Sequence, residues 1–204
     1  MRFQSLMSEL GTPLPAFCLP DPEGHRFSQD DFDSSKLLFV AFICNHCPFV
    51  LHILDELVRY TSDYAHGVAS VAISSNDVAS HPEDGPDYMR QLAQKRKFGF
   101  PYLYDESQNT ALAFGAVCTP DLFLFDRQRR LAYRGRFDGS RPRTPHDRDP
   151  QRPVEPVTGT DLRQATEALL RGGRPDVEQR PSMGCSLKWK PGMDPDGGEV
   201  IPPL

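Results

Sequence analysis

The stretch FVAFICNHCPFVLHI, residues 39–53, changes from one apolar pattern to another across a short polar junction. The unbroken apolar run over residues 37–43 has the length of a strand that is covered on both faces. After Pro48, apolar residues recur at helical spacing as far as Tyr64. We therefore predict a buried strand, a junction that holds Cys44-Asn45-His46-Cys47, and a helix that begins near Pro48.

The pattern on either side of this junction predicts an α/β domain. Further strands are predicted over residues 68–74, 121–125 and 131–135, and further helices after Pro86, Asp105 and Thr158. A βαβ unit followed by a hairpin and a terminal helix predicts a mixed sheet with helices on both faces. We expect one domain over residues 1–172 and a surface tail, rich in proline and glycine, over residues 173–204.

Composition and charge narrow the class of protein. The chain has 204 residues, enough for one domain with a sizeable core, and a formal net charge of -5 argues against a general nucleic-acid binder. The first residues lack an apolar signal segment, and the longest apolar run is too short to span a membrane. Five scattered cysteines do not resemble a secreted, disulfide-stapled scaffold. We expect a cytoplasmic protein without nucleic-acid or membrane partners.

The Cys-x-x-Cys spacing at a strand-to-helix junction is typical of thiol–disulfide exchange. Unpaired N–H groups and the helix dipole favour an anion there, so we expect an exposed Cys44 with a lowered pKa. His46 would add positive charge. Cys47, which we place within the first turn, would be the shielded thiol that closes the disulfide. A metal site and two inert buried thiols remain as alternatives.

Six segments carry a resemblance to a known family: GTPLPAFCLPDPEG, FICNHCPFVLHI, AISSND, FPYLYDESQNTALAFGAVCTPDLFLFD, YRGRFDGSRP and PSMGCSLKWK. They resemble the thioredoxin-like redoxins of the alkyl hydroperoxide reductase C / thiol-specific antioxidant (AhpC/TSA) superfamily. More narrowly, they resemble a bacterial branch of thioredoxin family proteins with Cys-Asn-His-Cys. The resemblance implies a thioredoxin fold, a central mixed β-sheet flanked by helices, with a redoxin-type N-terminal extension.

The resemblance also implies site residues beyond the cysteine pair. Thr119-Pro120 matches a Thr-Pro in which the proline is usually cis, faces the cysteines and lines the substrate groove. His46 would tune the redox potential. The family pattern also leaves gaps, since a tryptophan before the first cysteine is replaced by Ile43 and a buried aspartate by Leu38. The base that assists Cys47 is therefore not identified.

Two further cysteines are candidate third thiols. Cys118 lies two residues before Pro120, and the alternative to a redox role is a buried packing residue. Cys185 lies in the tail, where the alternative is a structural segment that Leu187 and Trp189 dock onto the domain.

We predict a thiol–disulfide oxidoreductase that acts on protein or small-molecule disulfides with an unidentified thiol reductant. No cofactor and no resident metal are expected, and the direction of exchange and the oligomeric state stay open. A peroxiredoxin-like peroxidase is one alternative. However, the Pro-x-x-x-Thr-x-x-Cys pattern would fall on Val40 and Cys44 if Cys47 reacts with peroxide. If Cys44 reacts instead, Leu37 and Ala41 hold those positions.

Metal binding is an alternative from a different class. Cys44, Cys47 and Cys118, with His46 or His52, could supply soft ligands for Cu(I) or Zn.

Overall fold

The apolar run after residue 36 forms the central strand of the fold, as its pattern predicts. The computed structural model describes residues 2–143, 151, 154–175 and 179–195. The strands are β1 (Arg2–Gln4), β2 (Cys18–Pro20), β3 (Arg26–Ser28), β4 (Leu37–Phe42), β5 (Val68–Ser74), β6 (Tyr102–Tyr104), β7 (Cys118–Thr119), β8 (Asp121–Phe125), β9 (Leu131–Arg134) and β10 (Met183–Ser186). The helices are α1 (Pro48–Asp63), α2 (Pro86–Arg96), α3 (Asn109–Phe114) and α4 (Thr160–Leu170).

Five strands form the main sheet in the order β6-β5-β4-β8-β9. β4 lies parallel to β5 and antiparallel to β8, and β8 and β9 form the predicted hairpin. All six residues of β4 are buried, as expected for a strand with neighbours on both sides. The predicted thioredoxin-like mixed sheet is confirmed.

Alternate residues of β4 face two apolar cores, because successive side chains of a strand point to opposite faces. Its odd-numbered residues belong to the core that includes Leu54 of α1 and Leu162 of α4. Its even-numbered residues belong to the core that includes Phe114 of α3 and Phe123 of β8. Helices therefore cover both faces of the sheet.

Helix α1 begins directly after the cysteine junction and packs against the sheet and α4. Pro48 occupies its first turn, where a missing N–H group costs nothing. Its buried face packs on the sheet, and the Tyr60 hydroxyl contacts Thr166 Oγ1 of α4 at 2.7 Å. The apolar spacing of the sequence thus fixes where the helix starts and which face it buries.

A second sheet of three short strands, in the order β1-β10-β7, packs against α1. The tail strand β10 pairs antiparallel with both neighbours and places Cys185 opposite Thr119. Gly184 permits this approach, since a methyl group there would overlap the Thr119 carbonyl oxygen. The sequence pattern predicts neither β1 nor β10.

The residues that follow β10 also pack against the domain. Leu187 is buried, and Trp189 packs against the core that includes Phe114, as the docked alternative for Cys185 required. The division of the chain at residue 172 remains a prediction. Within the described ranges, no helix is long and apolar enough to cross a membrane.

Candidate active site

Cys44 and Cys47 lie between the end of β4 and the start of α1. Cys47 is the residue that caps the helix N-terminus, so it precedes the first turn rather than lying within it. Both cysteines are buried, with exposed fractions of 1% and 0%. The expectation of an exposed Cys44 is therefore wrong. The cover comes from residues distant in sequence, which the motif alone does not reveal.

The Thr119-Pro120 segment contacts both sulfur atoms. Its peptide bond is cis, as the resemblance implied. Thr119 Oγ1 lies 3.4 Å from Cys44 Sγ, and the Thr119 carbonyl oxygen lies 3.1 Å from Cys47 Sγ. The chain thus brings together four of the predicted site residues.

Cys185 joins the pair as a third neighbouring thiol. It lies opposite Thr119, the residue that contacts both sulfurs, and packs against the core that contains Cys44 and Cys47. Unlike Cys44 and Cys47, the Cys185 residue is only half-buried. Cys118 is fully enclosed and its thiol contacts the Pro120 carbonyl oxygen at 3.7 Å instead. Of the two candidate third thiols, the geometry therefore places Cys185 against the pair.

The pKa directions favour a thiolate at Cys47 over one at Cys44. Burial, the largest contribution, acts to raise the pKa of Cys47, but interaction with the Cys185 and Cys44 thiols outweighs it, and the pKa is lowered. The Thr119 carbonyl oxygen, which accepts from the Cys47 thiol, acts against a thiolate there.

The pKa values of Cys44 and Cys185 are raised, whereas that of Cys47 is lowered. The hydrogen bond to Cys47, followed by burial, raises the pKa of Cys44, and the same two causes raise the pKa of Cys185. The expectation of a lowered pKa at Cys44 is therefore wrong.

His46 and Asp84 form a charged pair beside the thiols. His46 Nδ1 lies 2.8 Å from Asp84 Oδ2, and the Asp84 side chain is fully buried in the turn Pro82–Asp84. The close Asp84 carboxylate raises the pKa of His46, against the opposing effect of burial. An imidazolium near the cysteines is therefore favoured, as the sequence predicted, but its partner was not foreseen.

Asn45 fixes the loop that carries His46. Its backbone N–H donates to Asp84 Oδ1 at 2.8 Å, and its side-chain amide donates to the Glu83 carbonyl oxygen at 2.8 Å. Tyr102 donates to Asn45 Oδ1 at 3.1 Å. The two residues between the cysteines thus attach the junction to the segment around Asp84.

Asn76 links this charged pair to the tail. Its amide nitrogen donates to Asp84 Oδ2 at 2.7 Å, and its amide oxygen accepts from the Lys188 N–H at 2.9 Å. Gln108 also donates to the Lys188 carbonyl oxygen, at 2.8 Å. The segment that follows β10 is therefore tied to the same polar network as His46.

Sequence reasoning missed Asp84 and its neighbours His81 and Glu83. His81 stacks on His46 with ring centroids 5.2 Å apart, and Glu83 lies 3.6 Å from His46 Nδ1. A signal was present, because the polar segment HPEDG follows β5, whose carboxyl end lies beside that of β4. It was passed over because the same residues also suit a surface turn.

The potential metal ligands differ from the predicted set. The ligand atoms of Cys44, His46 and Asp84 lie within 4.8 Å of one another. His52 instead contacts Ser140 Oγ at 3.1 Å and belongs to no such group among the described residues.

A cavity of about 340 Å³ opens on the far side of Pro120. Phe49 of α1 and Met183 of β10 are part of its wall. Arg136 and Arg180 add positive charge to the lining.

Comparison with solved structures finds two proteins that match almost the whole chain. A hypothetical protein from Sinorhizobium meliloti is 44% identical over 93% of this chain and 100% of its own, with a TM-score of 0.85. An uncharacterized conserved protein from Geobacillus kaustophilus is 44% identical over 94% of this chain and 98% of its own, with a TM-score of 0.87. Neither comparison names an activity.

A more distant structure shares the fold. The thioredoxin domain of a thiol-disulfide oxidoreductase from Bacteroides vulgatus is 15% identical over 63% of this chain and 89% of its own, with a TM-score of 0.53. Comparison with curated proteins finds no match.

The profile of the AhpC/TSA family matches residues 10–134, which include the cysteine junction, the segment around Asp84 and the cis proline. The chain therefore belongs to the AhpC/TSA family.

Proposed function

We propose that this chain is a thiol–disulfide oxidoreductase whose reacting pair is Cys44 and Cys47. Membership of the AhpC/TSA family and the thioredoxin-like fold support a thiol–disulfide oxidoreductase or a peroxidase-type redoxin. The observation that carries the finer choice is the contact of both sulfurs with Thr119, which puts two reacting thiols beside one backbone segment. Cytoplasmic location, with protein or small-molecule disulfides as substrates, remains part of the proposal.

We propose that Cys47 makes the first attack, because the neighbouring groups favour its thiolate over that of Cys44. Its thiolate attacks one sulfur of a substrate disulfide, forms a mixed disulfide, and releases the other substrate sulfur as a thiolate that takes up a proton. Cys44 then loses its proton and attacks the Cys47 sulfur, which releases the second substrate thiol. Two electrons pass from the dithiol to the substrate, and a Cys44–Cys47 disulfide remains. This order reverses the one that the sequence predicts.

His46 is placed to adjust the balance between dithiol and disulfide. Asp84 favours the imidazolium form, and a cation close to Cys44 stabilises the negative charge that develops there when the pair reacts. Stabilising the reduced form makes the couple more oxidising. We therefore keep the proposed potential-tuning role of His46 and assign Asp84 as the residue that holds it.

Single serine variants test the pair and the order of attack. We expect Cys47→Ser to abolish reduction of a small disulfide such as 2-hydroxyethyl disulfide. Cys44→Ser should still form a mixed disulfide at Cys47, which intact-protein mass spectrometry detects. Cys18→Ser is the control, because Cys18 is an exposed thiol in a different strand. Full activity of Cys47→Ser, or mixed disulfides found only at Cys44, would overturn the assignment.

A slow peroxidase is the second candidate, because family membership supports it. The proline and hydroxyl of the peroxidase pattern are absent at Val40 and Cys44, so Cys47 lacks the residues that shape a peroxide pocket. We expect slow consumption of hydrogen peroxide in a stopped-flow assay. Rapid oxidation of Cys47 by peroxide would make this the better assignment.

Metal binding is a third candidate, favoured by the grouping of Cys44, His46 and Asp84. A thiolate, an imidazole and a carboxylate suit Zn. Metal analysis of protein purified without chelator tests it: stoichiometric zinc or copper that Asp84→Asn removes would favour a metal site over a redox pair.

A further inference from the structure

The tail strand β10 occupies the backbone edge at which a substrate was expected to lie. It pairs with β7 directly before Pro120, and Cys185 stands opposite Thr119, the residue that contacts both cysteines of the pair. An extended segment that lies at this edge holds its sulfur beside the reacting thiols. The chain thus supplies one such segment itself.

The arrangement around Cys47 has one central sulfur and two neighbours. Cys44 shares the junction with Cys47, and Cys185 stands opposite Thr119, whose carbonyl oxygen contacts the Cys47 sulfur, and packs against the core that contains both junction cysteines. Cys47 can therefore close a disulfide with either neighbour by small movements of side chains.

The three sulfurs differ in their access to solvent. Cys44 and Cys47 are enclosed, whereas Cys185 is half-buried on a strand near the surface. A thiol reductant approaching from solvent meets Cys185 before it meets either residue of the pair.

We propose that Cys185 is a third redox-active residue, which receives the disulfide from the Cys44–Cys47 pair and presents it to an external thiol reductant. The proposal rests on the thiol–disulfide exchange proposed above. It extends that exchange by naming the residue at which the oxidised centre is reduced.

The transfer balances without an added oxidant. The Cys185 thiolate attacks the Cys47 sulfur of the Cys44–Cys47 disulfide, the Cys47–Cys185 bond forms, and Cys44 leaves as a thiolate that takes the proton lost by Cys185. An external thiol then attacks the Cys185 sulfur and releases Cys47 as a thiolate. A second thiol removes the first as its disulfide and restores the Cys185 thiol, so two reductant thiols supply the two electrons.

Disulfide mapping of the Cys44→Ser variant tests the proposal without knowledge of the natural substrate. The reduced variant is treated with one equivalent of diamide, the remaining thiols are alkylated, and peptides are analysed by mass spectrometry. We expect a Cys47–Cys185 disulfide as the main product. It should persist in Cys44→Ser/Cys18→Ser and vanish in Cys44→Ser/Cys185→Ser. Alkylated Cys185 in the oxidised Cys44→Ser protein, or pairing of Cys47 with Cys118, would overturn the proposal.

Half-reaction kinetics separate this proposal from the proposed function. In Cys185→Ser we expect the Cys44–Cys47 disulfide still to form from a substrate disulfide. Reduction of that disulfide by a monothiol such as 2-mercaptoethanol should slow about tenfold or more, because a positioned thiol is lost. Equal reduction rates in Cys185→Ser and wild type would refute the role of Cys185 and leave the pair intact. Failure of the pair to oxidise at all would instead refute the proposed function.

Discussion

The two sheets of this protein meet at the cysteine cluster but are built in different ways. The main sheet has five strands and a central strand buried on both faces, whereas the second sheet has three strands of two to four residues each. Cys44 and Cys47 directly follow β4, the buried central strand of the main sheet. The second sheet carries Cys185 on a strand with little side-chain burial of its own. The pair and the third cysteine therefore lie on two supports whose stability can be tested separately.

The largest effect is expected from a cavity in the main sheet. Phe123 is 1% exposed and packs edge-on against Phe42 and Phe114. Phe123→Ala removes these contacts and should lower the free energy of unfolding by about 3–5 kcal/mol. Urea denaturation followed by circular dichroism measures it. A loss below about 1 kcal/mol would mean that this core repacks or that the sheet is less central than its burial indicates.

A local effect is expected from Gly184→Ala in the second sheet. The new methyl group would overlap the Thr119 carbonyl oxygen, so β10 should leave the edge while the main sheet stays folded. We expect Cys185 to react with iodoacetamide at least about tenfold faster, equivalent to about 1.4 kcal/mol of lost local stability.

Gly99→Ala is the matched control for this substitution. Nothing lies within 4 Å of a methyl group placed at Gly99, so alkylation of Cys185 should not change. If Gly184→Ala leaves Cys185 as protected as in wild type, β10 is not held by the close approach of Gly184 to Thr119.

A smaller, pH-dependent effect is expected from Asp84→Asn at the meeting point of the two sheets. Asp84 raises the pKa of His46 above its ordinary 6.5. The pKa of Asp84 is itself lowered from 3.8, because hydrogen bonds from His46 and Asn76 outweigh burial, the largest contribution, which raises it. The pair therefore contributes fully between pH 3.8 and pH 6.5, and its contribution is lost as pH rises through the folded pKa of His46.

Urea titrations of the reduced proteins from pH 5 to pH 9 measure this contribution. The difference in unfolding free energy between wild type and Asp84→Asn should be largest near pH 5 to 6 and shrink towards pH 9. The NMR titration of His46 should also move to lower pH in the variant. A difference in unfolding free energy that stays constant over the whole range would show that the contribution of Asp84 does not depend on the charge of His46.

The main sheet could be predicted because its signals are local. The apolar run of β4, the helical spacing after Pro48 and the hairpin of β8 and β9 each lie within a short window of sequence. Long apolar segments bury enough surface to decide their own structure. The cysteine pair was located for the same reason, because its position follows from the strand and helix around it.

The second sheet could not be predicted because its signals are distant. The strand β10 reads MGCS, has little intrinsic strand preference, and exists because Gly184 lets it pair with residues far away in sequence. The burial of Cys44, the direction of its pKa shift and the partner of His46 all depend on such contacts. Asp84 is separated from His46 by most of α1 and β5, and no spacing rule links them.

The order in which the chain is synthesised gives the β1-β10-β7 pairing a further consequence. Strand β10 joins Gln4 at one of its sides and Thr119 at the other, so this sheet cannot close until residue 186 has left the ribosome. The main sheet is complete by Arg134 and is free to fold earlier, since domains form as their segments emerge. The pairing that sets Cys185 opposite Thr119 therefore forms last, after the segment that carries Cys44 and Cys47 is already free to fold.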